Sequence, residues 1–248
     1  MSGVFFAFLL TLMAGLATGL GGCLVFFVRV EDKRALAVCL SFAAGVMLYI
    51  SFAEILLKGF EDTRYWMATL AFFGGVGGMA LFDRLLPRRE GDLQRTGAMS
   101  AVAIGVHNFP EGVLTFLAAM YDPMLGAAVA MAVALHNIPE GIAMAAPLYY
   151  ATGRKGKALG VALASGLAEP LGGLVAWLML RRFVGEVDAS FGLVFAAVGG
   201  IMVYVALAQL LPAAFRYGKE RLVVGWLFAG MVVMAVSLVA MEAVFGNG

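Results

Sequence analysis

His107, Asn108, Pro110, Glu111 and Gly112 recur as His136, Asn137, Pro139, Glu140 and Gly141. The frame His-Asn-x-Pro-Glu-Gly therefore occurs twice, and the only two histidines of the chain open its two copies. Each histidine precedes a glutamate by four residues, which on a helix puts both on one face, about 5–6 Å apart at Cβ. An imidazole and a carboxylate so placed can hold one divalent metal ion together. The asparagine beside the histidine adds a carbonyl oxygen. The proline removes one backbone hydrogen bond and frees the carbonyl four residues back, that of Val106 or Leu135. In lipid such a carbonyl needs water, a side chain or an ion. The glycine gives a neighbouring helix room to approach. Turned towards each other, the two faces offer imidazole, carboxylate and amide donors for one or two ions, with Glu111 and Glu140 able to bridge them.

The surroundings are apolar, and this sharpens the question. The chain is 62% hydrophobic with a mean hydropathy of +0.94 and only 13% charged residues, against roughly 45–50% apolar for a soluble chain. A charge at the middle of a membrane helix costs about 2.5–3.5 kcal/mol. Glu54, Glu111, Glu140 and Glu169 all fall in apolar runs, so four uncompensated charges would cost on the order of 10 kcal/mol. Lys and Arg lie almost entirely in loops, which leaves metal, protons and water as compensation. Glu169 stands in SGLAEPLGG, where Pro170 frees the carbonyl of Gly166, and it reads as a further ligand. Glu54 lies nearer a helix end, as an entrance ligand or an interfacial carboxylate. Asp83 and Glu242 are expected at the membrane edge, solvated. The fifteen methionines are scattered, which suits packing more than a copper(I) path.

Eight runs are long enough to cross a bilayer: 3–28, 35–57, 64–86, 98–120, 123–150, 157–180, 189–214 and 221–245. Continuous runs of this length exclude a transmembrane barrel, whose strands alternate. The expected fold is an all-α polytopic membrane protein, a single transmembrane domain over 1–248. The first run lacks a basic leader and is expected to stay as a membrane helix. The polar stretch 87–97 is a short loop. Cys23 and Cys39 lie in apolar runs and suggest neither a disulfide nor a metal motif. Thirteen Lys and Arg fall on the side holding the loops after spans one, three, five and seven, and four (Lys58, Arg64, Arg181, Arg182) on the other. That asymmetry puts both termini outside.

Internal similarity adds an architecture. GVMLYISFAEILL (45–57) aligns with GIMVYVALAQLLP (200–212) at an offset of 155, which pairs Glu54 with Gln209. LATGLGG (16–22) aligns with LAEPLGG (167–173) at an offset of 151. Partners five spans apart cross the bilayer in opposite directions, the mark of an inverted repeat. FFGGVGGM (72–79) and GLATGLGG (15–22) carry the small-residue spacing that lets helices pack closely. The third span is thus an internal packing surface or a homodimer surface, and the sequence does not decide between them.

Paired HNxPEG motifs on spans four and five, with AEPLG on span six, resemble the ZIP (Zrt/Irt-like) metal transporter family, nearest its bacterial ZupT-like branch. The resemblance covers essentially the whole chain. It implies a 3+2+3 inverted-repeat arrangement, a multi-pass protein of the inner (plasma) membrane, and divalent metal uptake into the cytoplasm. By position it implies a binuclear centre. One site uses His107, Glu111, His136 and Glu140. The other uses Asn108, Asn137 and Glu169, with Glu111 and Glu140 shared. Two departures stand out: Gln209 occupies a position often acidic in relatives, and the loop after span three has no histidine.

The resulting expectation is alternating-access transport, with the metal as substrate and no separate cofactor. Glu54 and Gln209 are candidates for the path. Histidine, carboxylate and amide ligands without thiolate suit Zn(II), Fe(II), Mn(II), Co(II) and Cd(II) better than Cu(I), with zinc favoured. The partners are the ion and the bilayer, with no nucleic acid. An intramembrane metalloprotease would need a catalytic base beside its zinc, as in HExxH, and here asparagine follows each histidine. A metal-conducting channel stays open as an alternative.

Overall fold

The computed structural model describes residues 2–27, 33–85, 93–182 and 187–245, and every regular element among them is helical. The first span is α1 (Ser2–Leu24). The second is α2 (Lys33–Ile50), a π-helical turn (Ser51–Ile55) and α3 (Leu56–Asp62). The third, fourth and fifth are α4 (Tyr65–Leu85), α5 (Leu93–Tyr121) and α6 (Pro123–Thr152). The sixth is divided into α7 (Lys155–Gly166) and α8 (Ala168–Arg182). The seventh is α9 (Val187–Val205), a second π-helical turn (Ala206–Leu210) and α10 (Leu211–Tyr217), and the eighth is α11 (Glu220–Phe245). Seven stretches of the described residues are long and apolar enough to cross a membrane, and α5 is a further helix of 29 residues. Both motif helices run on through Pro110 and Pro139.

The division of the sixth span has a local cause. Pro170 has no N–H to donate to Gly166, so the helical ladder stops there. Leu167 bonds back to Leu163 at 3.0 Å and Leu171 to Leu167 at a longer 3.3 Å. Glu169 thereby falls in the first turn of a new helix. Pro110 and Pro139 each remove one backbone hydrogen bond as well, yet α5 and α6 continue past them.

Polarity is turned inside out relative to a soluble protein. Phe5, Leu70, Phe73, Val236 and Val239 are each more than 60% exposed, while Asn108, Glu111, His136, Asn137, Glu140 and Glu169 are buried. Apolar side chains face outward where lipid would be their solvent. One group of helices surrounds the polar interior: α1 and α5 both pack on α6, α8 packs on α5, and α7 packs on α1. Two lateral pairs flank it, α2 with α11 and α4 with α9. Contacts of α2 with α6, and of α9 with α5, join the pairs to the central group. At one end Tyr121 donates to Asp62 at 3.1 Å, and Lys58 lies 3.5 Å from the same carboxylate.

Each lateral pair closes backbone against backbone. A methyl group added to Gly45 would collide with the carbonyl of Leu227, and one on Gly230 with that of Phe42. In the other pair Gly75 meets the carbonyl of Ala197 and Gly200 that of Phe72. Gly200 follows Gly45 by 155 residues, and Gly230 follows Gly75 by the same number. The second π-helical turn follows the first at that spacing as well. Of the glycines in FFGGVGGM, only Gly75 packs inward; Gly74, Gly77 and Gly78 face open space. Gly45→Leu should therefore lower stability by about 1–3 kcal/mol, the usual cost of forced overpacking. Gly74→Leu should change it by less than about 0.5 kcal/mol, as surface substitutions do. Thermal unfolding of the two variants in detergent measures the contrast.

Candidate metal centre

A single residue joins α5 to α6. The Asp122 carboxylate accepts the N–H groups of Met124 at 2.7 Å and Leu125 at 2.8 Å, and Pro123 occupies the first helical position. An aspartate cap followed by proline is a strong helix start. Gly126 lets the new helix close on Ala119 of the old one. So short a connection forces the two helices antiparallel and sets their register.

That register brings the end of one motif opposite the start of the other. His136 Nε2 lies 3.2 Å from Glu111 Oε1, and both side chains are at most 1% exposed. The imidazole–carboxylate pair observed is thus made across the hairpin, between the two copies. The His107 side chain lies outside the described residues; its backbone belongs to α5.

The third wall comes from α8. Glu169 Oε1 accepts a hydrogen bond from Asn137 Nδ2 at 2.5 Å, and the same nitrogen donates to the Ala14 carbonyl of α1 at 3.0 Å. Two acceptors around Nδ2 fix the orientation of the amide. They leave Asn137 Oδ1 as its remaining acceptor. Glu140, one turn on from His136 and Asn137 along α6, is buried with Glu111 and Glu169. Three carboxylates thus share one buried region, and the buried polar residues described include no Lys or Arg.

The motif glycines make this convergence possible. A side chain at Gly112 would collide with the carbonyl of Glu169, and one at Gly141 with the carbonyl of Thr18. Gly112 therefore admits α8, and Gly141 admits α1.

Several donor atoms remain. Oδ1 and Nδ2 of Asn108, Oε2 of Glu111, Oδ1 of Asn137 and Oε2 of Glu169 are buried with no hydrogen-bond partner among the described residues. Leaving such an atom unsatisfied costs about 1–3 kcal/mol, so water or a ligand is needed as partner. All but one of the five atoms are oxygens that accept and cannot donate when the carboxylates are ionised. A divalent cation fits that set, together with the imidazole of His136. Among the described residues no three His, Cys, Asp or Glu side chains converge tightly enough to hold an ion as they stand. They are joined in pairs, and a cation would draw the pairs together.

The two path candidates lie elsewhere. Glu54 and Gln209 each occupy the fourth position of a π-helical turn. Such turns widen the helix by one residue and recur at functional positions. Gln209 Nε2 donates to Asp83 Oδ1 at 3.2 Å, and Tyr204 Oη donates to Asp83 Oδ2 at 3.2 Å. Asp83 is only 8% exposed, which corrects the expectation that it is solvated at the membrane edge. Two donors from α9 and the turn after it hold it inside, so a carboxylate from α4 stands beside the neutral Gln209. The Glu242 side chain lies outside the described residues.

Sequence reasoning passed over two hydroxyls. Thr115 lies four residues beyond Glu111 on the same face of α5, and Thr18 lies in LATGLGG where its repeat partner carries Glu169. Both are fully buried, with no partner for Oγ1 among the described residues. The i, i+4 spacing and the alignment were the signals for them.

The chain is similar in sequence to known proteins over nearly its whole length. The family model of the ZIP zinc transporters matches residues 90–238. A zinc transporter ZupT from Nitratidesulfovibrio vulgaris is 47% identical, over 95% of this chain and 96% of its own. Those of Corynebacterium glutamicum and Lysinibacillus sphaericus are 46% and 44% identical, each over at least 94% of this chain and 97% of their own. Identity of this extent, spanning both motifs, α8 and the flanking helices, means that the chain is a multi-pass integral membrane protein and belongs to the ZIP zinc transporter family.

Proposed function

We propose that this protein carries zinc, with tolerance for Fe(II), Mn(II), Co(II) and Cd(II), into the cytoplasm through a two-ion centre on α5, α6 and α8. One observation carries the reading: Glu111, His136, Asn137 and Glu169 are paired in a fully buried region, and several of their acceptor atoms have no protein partner among the described residues. His107, Glu111, His136 and Glu140 form one site. Asn108, Asn137 and Glu169 form the other, with Glu111 and Glu140 shared. Membership of a transporter family removes the metalloprotease from the alternatives.

Uptake into the cytoplasm is the direction that the family resemblance implies, and the charge asymmetry of the loops gives the orientation. Both termini lie outside, and the loops rich in Lys and Arg lie in the cytoplasm. The 3+2+3 inverted repeat is supported by the two glycine crossings and the two π-helical turns, all related by 155 residues. A metal ion loses most of its water in an outer cavity, is held by the carboxylates and imidazoles, and is released inside. The group of α1, α5, α6, α7 and α8 shifts against the two lateral pairs, each of which is held rigid by its backbone crossing.

Glu111→Ala and Glu140→Ala should each reduce zinc uptake into vesicles by at least about 100-fold, the upper range seen even for groups that only support a metal ligand. Unchanged uptake in either would remove that residue from the centre. The rate in the parent protein should level off as zinc rises; a rate that stays linear would mean a channel. Ligand carboxylates and imidazoles must be deprotonated to bind metal, so zinc affinity should weaken steadily as pH falls from about 7.5 to about 5.5, a range that includes the unperturbed histidine value. Zinc titrations across that range supply the slope. Glu111→Gln keeps the shape and removes one carboxylate ligand, so the rise in melting temperature that added zinc gives the parent should disappear.

A further inference from the structure

A hydroxyl in an apolar helix ordinarily bonds back to a carbonyl of its own helix. Ser41 does so to Ala37 at 2.6 Å, Ser51 to Met47 at 2.6 Å, Thr69 to Tyr65 at 2.8 Å and Thr152 to Leu148 at 2.7 Å. On α1 itself Thr11 bonds to Phe8 at 2.9 Å. Thr18, also on α1 and 0% exposed, does not: its Oγ1 has no partner among the described residues. A buried hydroxyl that forgoes its own helix is available to something else.

Its location says what. Thr18 is one turn beyond Ala14, whose carbonyl takes the Asn137 amide. Its own carbonyl abuts Gly141, the residue after Glu140. The carbonyl of Glu169 abuts Gly112, the residue after Glu111, in the same way. The neighbouring contacts agree, since Gly21 meets the Ile138 carbonyl and Gly172 meets that of Phe109. Thr18 thus stands to the second motif as Glu169 stands to the first. From its post Glu169 reaches across to the asparagine of the other motif, Asn137. The residue that corresponds to Asn137 in the first motif is Asn108, on α5, with which α1 packs; Thr18 and Asn108 are not hydrogen-bonded to each other. Asn108 is 0% exposed, and neither its oxygen nor its nitrogen has a partner among the described residues.

We propose that Thr18 adds a neutral oxygen ligand to the site of Asn108, Asn137 and Glu169, on the side of Asn108, and that Thr18 determines metal preference. The inference rests on the metal centre proposed above and adds a residue from α1 to it. A hydroxyl and an amide carbonyl hold a cation without adding negative charge, so an ion on this side keeps the freedom to leave. Oxygen donors matter more to Mn(II), which favours carboxylate, carbonyl and water, than to Zn(II), which imidazole suits well.

The test is uptake by the full-length protein in vesicles, with Mn(II) and Zn(II) supplied separately. Thr18→Val keeps the shape and removes the donor. It should cut Mn(II) uptake about tenfold and Zn(II) uptake about threefold or less, the scale of one lost ligand contact, and Thr18→Ser should restore both. An unchanged Mn-to-Zn ratio in Thr18→Val, with Glu111→Ala inactive, would overturn the Thr18 ligand and leave the metal centre standing. Zinc uptake that survives in Glu111→Ala would overturn both. Thr18→Cys provides a gain that packing alone does not supply. A soft thiolate beside the ion should make Cd(II) inhibit zinc uptake at about tenfold lower concentration than in the parent, which already contains Cys23 and Cys39. Inhibition at the parent concentration would count against the Thr18 ligand whether or not Thr18→Val folds.

Discussion

Three carboxylates share a buried region in which no Lys or Arg is found among the described polar residues. This imbalance of charge is the constraint on which the rest of the structure depends. In a low-dielectric interior such groups cannot stay ionised unless something positive joins them. The protein supplies a histidine and amides, which orient and stabilise but do not neutralise. Protons, water or a cation can supply the compensation, and in the reading proposed above a divalent cation does so in one step.

Convergence of the carboxylates is a matter of backbone. Glu169 reaches the motifs because Gly112 lets its own carbonyl come against α5, and because Pro170 starts a new helix at the level of the centre. Asn137 is oriented by a carbonyl of α1, a helix that carries no charged ligand. Asn137, Glu169, Glu111 and His136 are thus each in contact with a helix other than their own. The lateral pairs close through glycines of their own.

Much of this was legible in the residues. The doubled HNxPEG frame and the Glu169–Pro170 pair named helices that the fold brings together in one buried polar region, because in a membrane chain a polar residue has few innocent reasons to be present. The offset of 155 pairs Gly45 with Gly200, and each proves to be a point where its helix closes on a neighbour's backbone. Hydropathy left Asp83 at the membrane edge, since its neighbour Arg84 and the following loop are polar. Only packing showed Tyr204 and Gln209 holding it inside, across more than 120 residues. Thr18 escaped for the opposite reason: a threonine in a glycine-rich helix is unremarkable until its hydroxyl is found without a partner.

The sequence by itself determined the class of the protein, an all-helical membrane chain, and the types of donor available, because composition and periodicity are local properties of a chain in lipid. Tertiary structure decided how the two motifs meet. Spacing of four residues put each histidine on one face with the glutamate of its own motif and left open how the two faces are set against each other. The one-residue turn at Asp122 opposes His136 to Glu111 across the hairpin. Register between antiparallel helices depends on the turn and on the glycines that let backbones touch, and no single helix contains that information.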